Sequence, residues 1–179
     1  MGLEVLIAIS RFWAERVNYS ENKKAYVILG VTGPNEYENN VNNNWYTNYL
    51  AQWCLLYTTR EIQKIKKTHP QHWNRIKEKV SWQESEIDKW NQIVSQIYFP
   101  RHPGSDIFLQ QDGFLDKTII PASSIDKSER PINQHWSWDR ILRSPFIKQA
   151  DVLQGLYLFE ENFDYEYIKK HFDFYEPLT

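Results

Sequence analysis

The sequence predicts an all-α fold in which helices alternate with long irregular loops. Apolar residues recur at helical spacing through most of the 179 residues, whereas only residues 25–30 have the composition of a short strand. No second or third strand follows that could build a parallel sheet, so a repeated helix-pair architecture is predicted. The length suits one domain with a hydrophobic core.

The first half of the chain is predicted to hold two long helices. Residues 3–18 form the first, with an apolar stripe of Leu3, Val5, Leu6, Ile9, Phe12, Trp13 and Val17. The second spans 43–67 and follows an Asn-rich turn at 39–44, since Asn is a good helix cap. Its inward residues are predicted to be Tyr46, Tyr49, Leu50, Trp53, Leu56 and Tyr57. A basic tail suits the negative end of the helix dipole, and Pro70 ends the helix.

The remaining helices are shorter. Two are predicted at 71–80 and 83–97, the latter capped by Ser81 in a capping box with Glu84. Three more are predicted at 136–143, 149–159 and 165–172. The intervening residues 98–134 contain several Pro and Gly residues and are predicted to be irregular. A connection of that length in a compact domain is usually functional or a lid.

Composition excludes several classes of partner. The formal net charge is −2 and charged residues are 25%, so charge favours neither a nucleic acid nor a membrane. Cys54 is the only cysteine, which excludes a disulfide framework and favours a buried thiol in a reducing cytoplasm. The five histidines lack metal-ligand spacing, so no metal site is predicted, and His69 and His72 are expected at the surface.

The segment Val31–Tyr37 places one carboxylate, Glu36, on a Gly-Pro turn. Gly33 permits backbone angles that other residues avoid, and Pro34 fixes its own φ, so the turn can hold Glu36 in one place. Aromatic residues are 16% of the chain, and their faces pack in cores or stack on sugar rings. Together these features suggest acid catalysis on a sugar. By residue type alone, a solvated loop glutamate is the favoured alternative.

Two further clusters have a functional and an ordinary interpretation. The stretch 108–114 carries polar residues between apolar ones, and its alternative is a β-turn at Asp112–Gly113. In 146–152, Lys148 and Gln149 would point hydrogen-bond donors into a cavity, and the alternative is a solvated helix end capped by Asp151.

A third cluster spans residues 135–140. Trp136 and Trp138 are close enough in sequence to build one wall of a pocket. The alternative is a helix that starts at a Ser137 cap, with an exposed pair between Asp139 and Arg143.

Taken together, these clusters resemble the catalytic domain of glycoside hydrolase family 65, the maltose phosphorylase-like enzymes. The resemblance extends almost from end to end. Six blocks follow the family's order: 11–13, 31–37, 43–49, 112–114, 148–152 and 172–177.

The resemblance implies a partial (α/α)6 toroid of paired helices, with residues 1–179 as a fragment of one catalytic domain and no second domain. It assigns the single general acid to Glu36, and the contacts to the sugar beside the scissile bond to Lys148 and Gln149. Where the family often has His after Glu-Tyr, this chain has Glu38. The family's upstream Trp-Asp pair and the His and Ser residues near its phosphate site have no counterpart here.

The activity implied is inverting phosphorolysis of an α-glucosyl disaccharide, with maltose favoured, to β-glucose 1-phosphate and a sugar. Inorganic phosphate is a co-substrate and no cofactor is expected; the partners are disaccharide and phosphate, with no nucleic acid and no membrane. Glu36 should hold its proton near neutrality, so a partly dry site or neighbouring carboxylates are expected to raise its pKa. A family hydrolase and an inactive remnant stay open as alternatives. The isolated chain is expected to be poorly stable and inactive, and a homodimer is one option for the full-length form.

Overall fold

The computed structural model describes residues 2–179 and is predominantly helical, which confirms the predicted all-α class. Within these residues the α-helices are α1 Gly2–Arg16, α2 Trp45–Thr68, α3 Pro70–Lys79, α4 Ser85–Gln96, α5 Ile132–His135, α6 Trp138–Arg143, α7 Asp151–Leu158 and α8 Tyr165–Tyr175. One antiparallel hairpin pairs β1, Asn18–Ser20, with β2, Ala25–Val27. The chain divides into two compact units, one from residues up to Ile28 with Asn48–Tyr98, the other from Leu29–Thr47 with Phe99–Thr179.

The first unit packs α1, most of α2, α3 and α4 around a core rich in tryptophan. Trp82 lies between two other indoles, with ring centroids 5.7 Å from Trp73 and 5.5 Å from Trp90, both in edge-to-face geometry. The other buried members of this cluster are Ile7, Ala14, Leu55, Ile62, Ile76 and Ile93. This core fixes the four helices against one another.

The buried faces of α1 and α2 differ from the predicted ones. In α1 the buried residues are Ile7, Ser10 and Ala14, while the bulkier Val5 and Phe12 are exposed. In α2 the buried side includes Ala51, Leu55, Thr58 and Ile62, whereas the residues predicted to point inward are only partly buried and Tyr57 is exposed. Small side chains let the two helices approach closely, and the Ser10 hydroxyl donates to Thr58 Oγ1 at 2.9 Å.

The capping box predicted for α4 is wrong. Ser81 has a positive φ of 50° and the helix begins three residues later than that cap required, with Glu84 at the N-cap position. Glu86 instead reaches back to accept the Gln83 N–H at 2.9 Å, and it also binds Arg11 with two hydrogen bonds of 2.7 and 2.8 Å. Tertiary pairing with α1 therefore replaces the local cap.

The second unit holds the long connection and the short helices. The region predicted as irregular contains short 3-10 turns at Phe114–Asp116, Ala122–Ser124 and Lys127–Glu129, together with α5. His171 on α8 is fully buried and anchors this connection, because its Nε2 accepts the Phe108 N–H at 2.8 Å. Burial lowers the pKa of His171, which keeps the imidazole neutral for this contact. Gly155 on α7 lies directly against the Trp45 ring.

No helix within residues 2–179 combines the length and the apolar character needed to cross a membrane.

Candidate active site

Glu36 lies at the tip of a loop that is closed at its base. Val31 and Val41 exchange two backbone hydrogen bonds of 2.9 Å, which join the two ends of the loop. Gly30 N–H adds a bond of 3.0 Å to the Asn42 side chain. The ten residues between these ends are therefore a defined loop and not a free excursion of the chain.

Asn35 builds the loop tip from within. Its carbonyl oxygen accepts the Glu38 N–H at 3.2 Å, and its side-chain oxygen accepts the Tyr37 N–H at 3.3 Å. The same side-chain oxygen accepts the Lys148 N–H at 3.0 Å. One buried asparagine thus fixes the backbone on both sides of Glu36 and ties it to the backbone of Lys148.

A buried carboxylate, Asp151, holds Asn35 in turn. Its two oxygens accept the Asn35 N–H and the Asn44 side-chain amide, each at 2.6 Å. Asn44 also caps α2, because its side-chain oxygen accepts the Thr47 N–H at 3.0 Å. Burial raises the pKa of Asp151 to about 6 in spite of these hydrogen bonds. The alternative of Asp151 as a solvated helix cap is therefore wrong, since only 1% of the residue is exposed.

Gly33 is required by close approach and not by its backbone angles. Its φ lies outside the left-handed region, contrary to the reason given for glycine from the sequence. A Cβ at this position would lie 2.2 Å from Asp151 Oδ2 and 2.5 Å from Asn44 Nδ2. A side chain of any size would therefore push the loop off its buried support.

The carboxylate of Glu36 pairs with the ammonium group of Lys148, 112 residues further along the chain. The hydrogen bond to Glu36 raises the pKa of Lys148, so this lysine stays charged. The Glu36 side chain is 63% exposed and contacts a cation, which differs from the partly dry site with neighbouring carboxylates that was expected. Gln149 follows Lys148 and is exposed.

A cavity of about 590 Å³ opens beside this ion pair, a size typical of small-molecule sites. It is lined by Glu36, Tyr37, Asn133, Trp136, Ser137, Trp138, Ile141 and Lys148. The structure therefore bears out the interpretation of the two tryptophans as a pocket wall.

The ordinary interpretation of the tryptophan cluster is confirmed as well. The Ser137 hydroxyl accepts the Arg140 N–H at 3.3 Å and caps α6. Arg143 donates to Asp139 at 2.6 Å on the exposed side. Helix start and pocket wall are thus one feature, because the cap fixes the position of the indoles.

Two polar contacts support the loop from other sides. Glu38, the departure from the family pattern, forms an ion pair with Lys117, and both side chains are largely buried. Asp112 accepts the Asn43 side-chain amide at 2.6 Å, and Gly113 has a φ of +74°, in agreement with a turn at this point. The loop that carries Glu36 therefore rests on several segments that are distant in sequence.

Sequence reasoning missed the residues that position Glu36, namely Asn35, Asn44 and Asp151. Each had an ordinary local interpretation, as a turn residue or a helix cap. The only available signal was Gly33, which indicates either unusual φ or close approach. Pairing that glycine with a buried acid more than a hundred residues away requires the tertiary structure.

Comparison with known proteins matches the whole chain to one family. The model of the glycosyl hydrolase family 65 central catalytic domain matches residues 1–179. Maltose phosphorylase of Bacillus subtilis (strain 168) is 51% identical over 178 residues, which cover 99% of this chain and 23% of that enzyme. Kojibiose phosphorylase of Halothermothrix orenii (strain H 168) and alpha,alpha-trehalose phosphorylase of Thermoanaerobacter brockii are each 36% identical, with the same coverage.

A solved structure agrees with these matches. A candidate kojibiose phosphorylase from the human microbiome superposes with a TM-score of 0.86 at 32% identity, over 99% of this chain and 24% of that chain. The present chain therefore spans about a quarter of the length of the curated relatives it matches.

Proposed function

Because the chain belongs to glycosyl hydrolase family 65, through the central catalytic domain, we propose that it supplies the general acid of an inverting disaccharide phosphorylase. The observation that carries the proposal is the meeting of Glu36 and Lys148 beside a cavity with an aromatic wall. One acid is enough for this reaction, because phosphate is already an anion and needs no general base to activate it.

In the proposed reaction, a phosphate oxygen attacks the anomeric carbon of an α-glucosyl disaccharide. The bond from that carbon to the glycosidic oxygen breaks, and Glu36 gives its proton to the departing oxygen. The products are β-glucose 1-phosphate, of inverted configuration, and a free sugar. General acid catalysis of this type contributes roughly 10²–10⁴ in rate.

Lys148 and Gln149 are proposed to bind the glucosyl ring. In the structure Lys148 is engaged by Glu36, so a sugar hydroxyl would have to compete for its ammonium group. We propose that this exchange accompanies binding: the sugar takes over Lys148, and Glu36 is left to carry a proton. Closing the cavity over the sugar would then remove the water that surrounds Glu36 in the structure.

Maltose is the proposed disaccharide, with support from the 51% identity to a maltose phosphorylase. Relatives named for kojibiose and trehalose are 36% identical, which makes these sugars the next to test. Inorganic phosphate is the proposed co-substrate. A homodimer, the absence of a further cofactor and a cytoplasmic location stay predictions.

The test places residues 1–179 in the matching stretch of the B. subtilis maltose phosphorylase. With maltose and phosphate, we expect β-glucose 1-phosphate and glucose in equal amounts. Glu36→Gln should lower turnover by a factor of roughly 10²–10⁴ while maltose binding survives. Glu166→Gln, an exposed glutamate on α8 that does not line the cavity, is the matched control and should leave turnover unchanged.

Product analysis separates the alternatives. Free glucose without sugar phosphate, in phosphate buffer, would identify a hydrolase. Unchanged turnover in Glu36→Gln would remove Glu36 from the mechanism.

A further inference from the structure

Trp138 is the most exposed large apolar side chain on the cavity wall. It is 56% exposed and lines the same cavity as Glu36 and Lys148. Tyr157 and Tyr165, in the same unit, are each 74% exposed but do not line this cavity. Exposure alone is common for single aromatic residues, so the position beside the acid is what sets Trp138 apart.

The indole of Trp138 is carried by a rigid support. It is the first residue of α6, directly after the Ser137 cap. Next to it, Trp136 packs on Phe146 with ring centroids 5.7 Å apart, and the Arg140 guanidinium lies 3.6 Å from the Trp136 centroid. The two tryptophans thus have different roles: Trp136 belongs to the core of this unit, and Trp138 presents its surface to the cavity.

The chemistry of the wall fits a sugar ring. An indole face binds a ring that has one apolar face, while the polar groups at its edge need hydrogen bonds. Asn133 and Ser137 line the cavity beside Trp138 and can provide such bonds. The acidic and basic neighbours Asp139 and Arg143 pair with each other, so this end of the cavity carries no unpaired charge from them.

We propose that Trp138 is the stacking platform for the sugar that leaves, and that it therefore determines which sugar is accepted. This inference rests on the proposed function. Glu36 must face the glycosidic oxygen, which joins the two rings, and Lys148 is assigned to the glucosyl ring. The tryptophan end of the cavity is the remaining lined surface for the second ring.

The first experiment uses the chain of 179 residues with ¹⁵N-labelled indoles and amides, titrated with maltose. We expect the Trp138 indole signal, assigned with Trp138→Phe, to shift together with the Lys148 amide. Trp90, which is 1% exposed, serves as the internal reference that should not move. Trp138→Ala should weaken maltose binding about tenfold, and Trp138→Phe should restore it to within about threefold, since it keeps an aromatic face.

The two hypotheses fail in different ways. A shift at Lys148 without a shift at Trp138 would overturn the stacking platform and leave the proposed function intact. No shift at either residue would contradict both.

The second experiment separates the two sugar positions. In the chimeric enzyme run towards synthesis, Trp138→Ala should raise the KM for glucose about tenfold and leave the KM for β-glucose 1-phosphate within about twofold. Tyr157→Ala, an exposed aromatic residue outside the cavity, should change neither. An increase in the KM for the sugar phosphate, or unchanged KM values, would overturn the assignment to the leaving sugar.

Discussion

Replacing Asp151 with asparagine should alter how the stability of the chain depends on pH. In the folded chain burial raises the pKa of Asp151 from 3.8 to about 6. The folded state therefore holds this proton more tightly than the unfolded state. The stabilising contribution of neutral Asp151 is fully present below pH 3.8 and is lost as the pH rises through about 6.

The magnitude follows from the two pKa values. One pKa unit corresponds to 1.36 kcal/mol, so the gap between 3.8 and about 6 amounts to about 3 kcal/mol in the free energy of unfolding. The negative charge of Glu38 contributes to the raised pKa, and Glu38 is itself paired with Lys117. Tyr175 is the other titratable group that Asp151 affects, and its pKa lies well above the usual value, so it stays neutral in this pH range.

The assay is urea unfolding of wild type and Asp151→Asn between pH 4 and 7, followed by tryptophan fluorescence. Other carboxylates titrate in both proteins, so the difference between the two curves isolates Asp151. We expect that difference to change by about 3 kcal/mol across the range, with the variant relatively more stable at higher pH.

The variant also loses an acceptor. One amide hydrogen would face the Asn35 N–H or the Asn44 amide, which shifts the whole curve by a constant amount but not its slope. Asp139→Asn is the control of opposite sign, because the hydrogen bond from Arg143 lowers the pKa of Asp139. Parallel curves for wild type and Asp151→Asn would refute the argument that Asp151 is ionised at a loss of stability.

Two further substitutions test the support of the loop. Gly33→Ala should destabilise the chain by about 3 kcal/mol, as judged by urea unfolding, because the new methyl group overlaps Asp151; a stability within error of wild type would show that the loop can yield. Lys117→Ala should cost about 3–5 kcal/mol at pH 7, because it leaves the Glu38 carboxylate buried without its cation. The matched change Lys169→Ala, in an exposed pair, should leave the unfolding midpoint unchanged, and equal effects of the two would contradict the role of burial.

Local signals predicted the helices well where the helices depend on local residues. The helices expected at 43–67, 71–80 and 83–97 occur at 45–68, 70–79 and 85–96. The caps at Asn44 and Ser137 agree with their residue types. The buried faces of α1 and α2 were wrong, because the packing of two helices is decided by where small residues allow close approach, and hydrophobicity alone does not show this.

The candidate site follows the same division. Glu36, Lys148 and the two tryptophans could be named from the sequence, and they lie around one cavity. Asp151 could not, because a carboxylate at a helix start is usually a solvated cap. Its burial arises from contacts with Asn35 and Asn44, and neither has a sequence spacing that links it to Asp151.

The two acids of this loop are treated in opposite ways, and the difference explains how one can react. Asp151 has its hydrogen bonds filled by the backbone and by Asn44, so its role is to hold the loop and it does not line the cavity. Glu36 is exposed at the loop tip, and its contact is with a lysine that a sugar could take over. A reacting acid needs a fixed backbone but an uncommitted side chain. The buried acid provides the first condition, which leaves the second to Glu36.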